Sequence, residues 1–154
     1  MKQSELVCAA LILVGLLVLY LLFGFKQSIV SGREHFTDAD TNVLGSPMTA
    51  CSSTGKVTGY FRDGYCKTDP TDSGTHVVCS VVDDTFLQFT KEQGNDLITA
   101  NPPSFPGLVA GDKWCLCALR WLEAHKAGKA PKVVLEATKD TAFRYIPKDV
   151  LMSS

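Results

Sequence analysis

The run Leu6–Phe25, LVCAALILVGLLVLYLLFGF, is twenty residues without a charge, a proline or a carboxamide. As an α-helix it measures about 30 Å, the thickness of a bilayer's hydrocarbon core. A helix satisfies its backbone hydrogen bonds internally, so it can thread lipid. A cleaved secretory signal fits less well, because signal cores run about 7–15 apolar residues and close on a small-x-small site. Here the run is longer, Lys2 is the only basic side chain ahead of it, and Ile29-Val30-Ser31-Gly32 is a weak cleavage match. The expectation is a single-pass anchor over 6–25 that contacts the lipid bilayer. It follows a short flank, 1–5, and precedes a polar juxtamembrane tether, 26–41, and a globular domain, 42–154.

Fifteen Lys and Arg stand against sixteen Asp and Glu, a formal net charge of −1. With no block of basic residues, the chain lacks the electrostatic footprint that phosphate backbones require, so nucleic acid is not an expected partner. Lys26 and Arg33 follow the apolar run while Lys2 precedes it beside Glu5. That charge count places the C-terminal domain on the cytosolic side. Cys8 lies within the run, leaving Cys51, Cys66, Cys79, Cys115 and Cys117 beyond it. An odd number with irregular spacing is unlike a secreted disulfide framework, so reduced thiols are expected.

The soluble part mixes periods. Val57–Phe61 reads as a short strand running into the turn formers Asp63-Gly64, and Thr75–Val82 as a strand buried on both faces. Asp83 or Asp84 caps a helix carrying Phe86, Leu87, Phe89 and Thr90, which Gly94 stops. A second helix is expected over Lys113–Ala127, with Trp114, Ala118, Trp121 and Leu122 on one stripe and Gly128 at its end. Val133–Ala137 reads as another strand, and Pro147 as the first residue of a short last helix. Strands mixed with helices but without regular β-α-β alternation give an α+β class.

Several stretches resemble a family of small proteins of unknown function. They are Asn42-Val43-Leu44-Gly45, Gly59-Tyr60-Phe61-Arg62-Asp63-Gly64 with Cys66, Gly74–Cys79, Gly94-Asn95-Asp96-Leu97 and Phe105-Pro106-Gly107-Leu108. The densest match is Gly111–Trp121, followed by Glu123-Ala124, Gly128, Ala130-Pro131 and Val134–Thr138. The resemblance implies a compact domain and no established activity or cofactor. Two departures stand out: Tyr65 where members often have a second cysteine, and Lys139 where they often have histidine. Both remove groups able to bind a metal or move a proton.

Three constellations carry candidate chemistry. Cys66, Cys79, Cys115 and Cys117, with His76 nearby, offer the S and N donors zinc prefers, against the ordinary reading of buried core thiols or a disulfide. The C-x-C pair can share one ion only if the helix begins after Cys117. Cys66 or Cys79 next to His76 or His125, with Asp63 or Asp96 orienting the base, has the components of a cysteine nucleophile, though no spacing establishes the contacts. Arg62, Asp63 and Arg120 could line a polar pocket. In the ordinary reading Asp63 makes a turn, Asp112 a cap, Asn95-Asp96 a turn, and Arg120 an ion pair with Glu136 or an Asp. Asp72 belongs to the same polar set.

Taken together, anchor, tether and near-zero charge point to a structural or interaction protein that presents its domain to neighbouring proteins. The architecture is similar to that of membrane-linked minor capsid proteins of large DNA viruses with an internal bilayer, which would make capsid proteins the partners and the virion the location. The alternative is a membrane-tethered enzyme or small-molecule-binding domain using the cysteines or Arg62, Asp63 and Arg120.

Overall fold

The computed structural model describes residues 41–52 and 55–154. The expected anchor, and the tether apart from Thr41, lie outside the described residues. Among the described residues no helix is long and apolar enough to cross a membrane.

The centre of the α+β domain is a three-stranded antiparallel sheet, ordered β2-β1-β3. β1 (Val78–Val81) falls inside the expected strand and is the middle one, and its first three residues, Val78, Cys79 and Ser80, are buried. β2 (Lys113–Leu116) pairs Cys115 with Cys79, and β3 (Lys132–Val133) pairs Val133 with Ser80. α1 (Asp84–Glu92) starts as expected: the Asp83 carboxylate accepts the Phe86 N–H at 2.8 Å. Gly94, at φ 81°, turns the chain out of it.

The expected helix Lys113–Ala127 is two elements. Lys-Trp-Cys-Leu forms β2, and α2 (Ala118–Lys126) begins only after Cys117, its N-cap. Tertiary pairing overrides helix propensity here, because both Trp114 and Cys115 find buried partners only from an extended backbone. Val57–Phe61 is irregular rather than a strand: Gly59 takes φ 91°, and the Thr58 carbonyl accepts the Gly64 N–H at 3.0 Å, folding the segment over itself. The expected strand Val133–Ala137 shortens to β3 and passes into a 3-10 turn, Leu135–Ala137. A second turn, Asp140–Arg144, leads to α3 (Lys148–Met152), with Pro147 as its N-cap.

One face of the sheet packs against α1, α2 and α3 through Phe86, Trp121, Ile146 and Leu151, all essentially without exposure. The Trp121 indole N–H donates to the Pro131 carbonyl at 3.1 Å, which satisfies the polar atom of the largest buried side chain. A separate cluster holds Cys51, Cys66, Cys79, Cys115 and Ala137, with Met48 and Val134 packed against it.

In that cluster the expectation of reduced thiols is corrected. Cys51 bonds to Cys79 and Cys66 to Cys115, with Cα–Cα separations of 5.7 and 5.2 Å. Cys79 and Cys115 are direct partners across β1 and β2, so their side chains leave the same face. Cys51 and Cys66, from the described part of the loop ahead of β1, supply the other two sulfurs. The Sγ atoms of Cys51, Cys66 and Cys115 all lie within 4.8 Å of one another. Spacing concealed this because each bridge joins a loop cysteine to a strand cysteine, 28 and 49 residues apart.

Closing loops of that size restricts the unfolded chain by about 3–5 kcal/mol per bridge in the chain-entropy description. The variant Cys66→Ser/Cys115→Ser is expected to lose stability of that order in equilibrium urea unfolding. A loss below about 1 kcal/mol would show that the bridge adds nothing the packing does not already supply.

Candidate functional site

The remaining described cysteine, Cys117, is the one thiol not in a disulfide among the described residues, and it is partly exposed. It occupies the N-cap of α2, where β2 hands over to the helix. Its Sγ lies 3.2 Å from Nε2 of His76. The other ring nitrogen of His76, Nδ1, lies 2.6 Å from Oδ1 of Asp72. Thiol, imidazole and carboxylate thus form one chain of hydrogen bonds.

Each member is held locally. Asp72 closes a turn in which its own N–H donates to the Asp69 carbonyl at 3.1 Å. Its Oδ2 accepts the His76 N–H at 2.8 Å and the Thr68 hydroxyl at 3.0 Å, leaving Oδ1 for the imidazole. The Asp72 side chain is 1% exposed and that of His76 34%. With Nδ1–H committed to the carboxylate, Nε2 is the nitrogen that faces sulfur. Thr75, between Gly74 and His76, adopts φ 49°, a conformation rare for a β-branched residue. Its carbonyl accepts both the Val77 N–H (2.9 Å) and the Ala118 N–H (3.1 Å), tying the segment that carries His76 to the start of α2 beside Cys117. Gly74 leaves the room this needs: a Cβ there would stand 2.6 Å from His76 Cε1 and 2.9 Å from Cys117 Sγ. The Tyr60 ring lies parallel to the imidazole at 6.2 Å.

The electrostatics follow from these contacts. The Cys117 hydrogen bond is the largest influence raising His76, aided by the sulfur's charge and by Asp72 and opposed by burial; together they take it to about 9. Burial works to raise Asp72, but the N–H and imidazole of His76 outweigh it and hold the carboxyl below its ordinary value. The imidazole is therefore a cation at neutral pH, placed between two groups that can be anions. An open depression of about 430 Å³ gives access to the sulfur, lined by Ser73, Gly74, Cys117, Leu119, Arg120 and Glu123.

The residues expected from sequence are distributed differently. His76 is in the site, but Cys66 and Cys79 are in disulfides, so neither is the thiol it faces. Of the four metal candidates, Cys66, Cys79 and Cys115 sit in the sulfur cluster with Cys51, whereas Cys117 stands beside His76. Asp63 serves a turn, accepting the Tyr65 N–H at 3.0 Å. Asp96 accepts the Thr99 N–H and hydroxyl, the Lys91 ammonium and the Ile98 N–H, which together hold its carboxyl far below the usual range. Arg62 lies over the Trp114 ring at 5.1 Å, while Arg120 pairs with Glu123 at 2.9 Å rather than with Glu136. Arg62, Asp63 and Arg120 thus have separate partners. His125 stacks on Trp121 at 5.3 Å. Sequence reasoning missed Asp72 as the partner of His76; the one available signal was its i, i+4 spacing in a run of turn formers.

Fold and site define a small α+β domain, cross-linked by two disulfides, that displays a thiol–imidazole–carboxylate array at a strand-to-helix junction. Residues 41–154 match a family described as an uncharacterized protein conserved in bacteria, DUF2237, and the chain belongs to that family. No curated protein matches the chain.

The charge on His76 sets a pH dependence. A histidine raised from 6.5 to about 9 contributes stability that is fully present below 6.5 and is lost as pH rises through about 9. An NMR titration is expected to place the His76 midpoint near 9 in the native chain and clearly lower in Cys117→Ser. A midpoint unmoved by that substitution would mean the sulfur is not the principal partner.

Proposed function

We propose that this chain is a membrane-tethered thiol enzyme of the acyl-transfer class, with Cys117 as nucleophile, His76 as acid–base and Asp72 as the group that orients the base. The observation that carries this reading is the unbroken chain Cys117 Sγ–His76–Asp72, at 3.2 and 2.6 Å. Nucleophile, base and orienting acid in mutual hydrogen-bond reach is the arrangement covalent catalysis requires.

The sulfur, having given its proton to Nε2, attacks a carbonyl carbon. A C–S bond forms and the carbonyl electron pair moves to oxygen. The amides of Leu119 and Arg120, in the first turn of α2, have no carbonyl four residues back within the helix and are donors for that oxyanion. Collapse breaks the bond to the leaving group, which departs with the Nε2 proton. Water, losing a proton to His76, then hydrolyses the thioester and frees the thiol. Asp72 keeps the ring oriented throughout and stabilises its cationic form.

The Leu6–Phe25 run supports the tether, since no step of this chemistry needs it. The two disulfides favour an oxidising compartment for the domain. We therefore place it on the side opposite to the one the charge count favours. The same run also favours a second reading, a capsid- or protein-linking role in which the domain serves only as a displayed surface.

Treating the full-length chain with iodoacetamide at pH 7 and mapping the peptides is expected to show Cys117 modified at least about tenfold faster than in His76→Gln. An activated acyl ester is expected to release a burst of one leaving group per chain, absent in Cys117→Ser. Equal alkylation rates together with no burst would remove the enzyme reading and leave the displayed surface. For the tether, alkaline carbonate is expected to leave the chain in the membrane pellet; release by salt alone would remove the anchor from both readings.

A further inference from the structure

Asp72 also lines a second cleft, of about 790 Å³, within the size range of small-molecule sites. Asp72 and Thr75 form part of its wall, and Ser73 lines both this cleft and the depression over Cys117. Two cations, Lys139 and Arg144, belong to the same wall.

Lys139 is the anomaly. It is only 7% exposed, and its Nζ has no hydrogen-bond partner. An ammonium withdrawn from water is costly unless an acceptor meets it. Arg144, at the exposed rim, has no ion-pair partner among the described residues.

The carboxylates of the cleft are engaged elsewhere. Asp72 serves His76 and Thr68. Asp69 takes the N–H and hydroxyl of Thr71 at 2.8 and 2.6 Å. Asp140 accepts the Thr41 hydroxyl at 3.0 Å. Each of these three carboxylates thus already accepts a hydrogen bond within the chain, whereas neither cation has an ion-pair partner among the described residues. A ligand that brings its own acceptors would meet both cations, and a neutral carbonyl would leave the ammonium's charge uncompensated.

We infer that the cleft is a subsite for an acid group, carboxylate or phosphate, held by Lys139 and Arg144, and that it receives the anionic end of the molecule whose carbonyl reaches Cys117. The inference rests on the thiol reading for the second half of that statement and on Lys139 for the first. It makes the substrate class a small acyl compound bearing an acid group, not a peptide backbone.

The test follows thermal unfolding of the full-length chain, in non-ionic detergent, against rising inorganic phosphate or succinate at constant ionic strength. A saturable rise in Tm with at least one of them is expected. Phosphate alone acting would assign a phosphoryl group, and succinate alone a carboxylate. Lys139→Met is expected to unfold at no lower temperature than wild type without anion, yet to bind at least about tenfold more weakly. Arg144→Gln, altering an exposed side chain, is expected to weaken binding as well and serves if Lys139→Met does not fold. No saturable rise with either anion, or an undiminished response in the folded variants, overturns the subsite. Iodoacetamide labelling of the same samples separates the two readings: an anion response with an inert Cys117 sinks the thiol chemistry and keeps the subsite, and a reactive Cys117 without an anion response does the reverse.

Discussion

Cys79 and Cys115 face one another across β1 and β2, yet each bonds to a cysteine in the overlying loop rather than to its neighbour. Much else rests on that choice. The loop 41–76 has little regular structure with which to pay for its own ordering. It is held by the two bridges, by the Thr58 hydroxyl accepting the Cys115 N–H at 2.8 Å, and by Asn42 bridging to the Glu136 carbonyl. Asp72 and His76 lie at the end of this loop, where it enters β1. A covalent bond between loop and sheet therefore fixes the carboxylate and the imidazole relative to the residue that follows β2, which is Cys117.

The polar array depends on complete pairing. A carboxylate as buried as that of Asp72 persists because three donors reach it: imidazole, backbone amide and the Thr68 hydroxyl. The imidazolium in turn has an acceptor on either side. The same accounting finds two buried side-chain atoms without a partner among the described residues, Ser80 Oγ and Lys139 Nζ, and Lys139 shares a cleft wall with Asp72.

How far the sequence exposed this depended on range. The cap at Asp83, the stop at Gly94 and the central strand were legible because each is encoded within a few residues. The division of Lys113–Ala127 was not, since Trp114, Ala118 and Trp121 satisfy helical spacing and only the pairing of Lys113–Leu116 with β1 makes the first four residues extended. The site was half visible. His76 stood out as one of few histidines, but its thiol lies 41 residues away, beyond the reach of any spacing rule. The C-x-C pair misled for a related reason: β2 turns Cys115 into the sulfur cluster, and the change to helix immediately after Cys117 places the second sulfur beside the imidazole.

The carbonyl of Thr75 accepts one hydrogen bond from Val77, the residue after His76, and another from Ala118, the residue after Cys117. One oxygen thus holds the residue after the imidazole and the residue after the thiol at the same time. The uncommon backbone angle of the domain's site falls at this same residue, so the double acceptance and the left-handed conformation belong to one peptide.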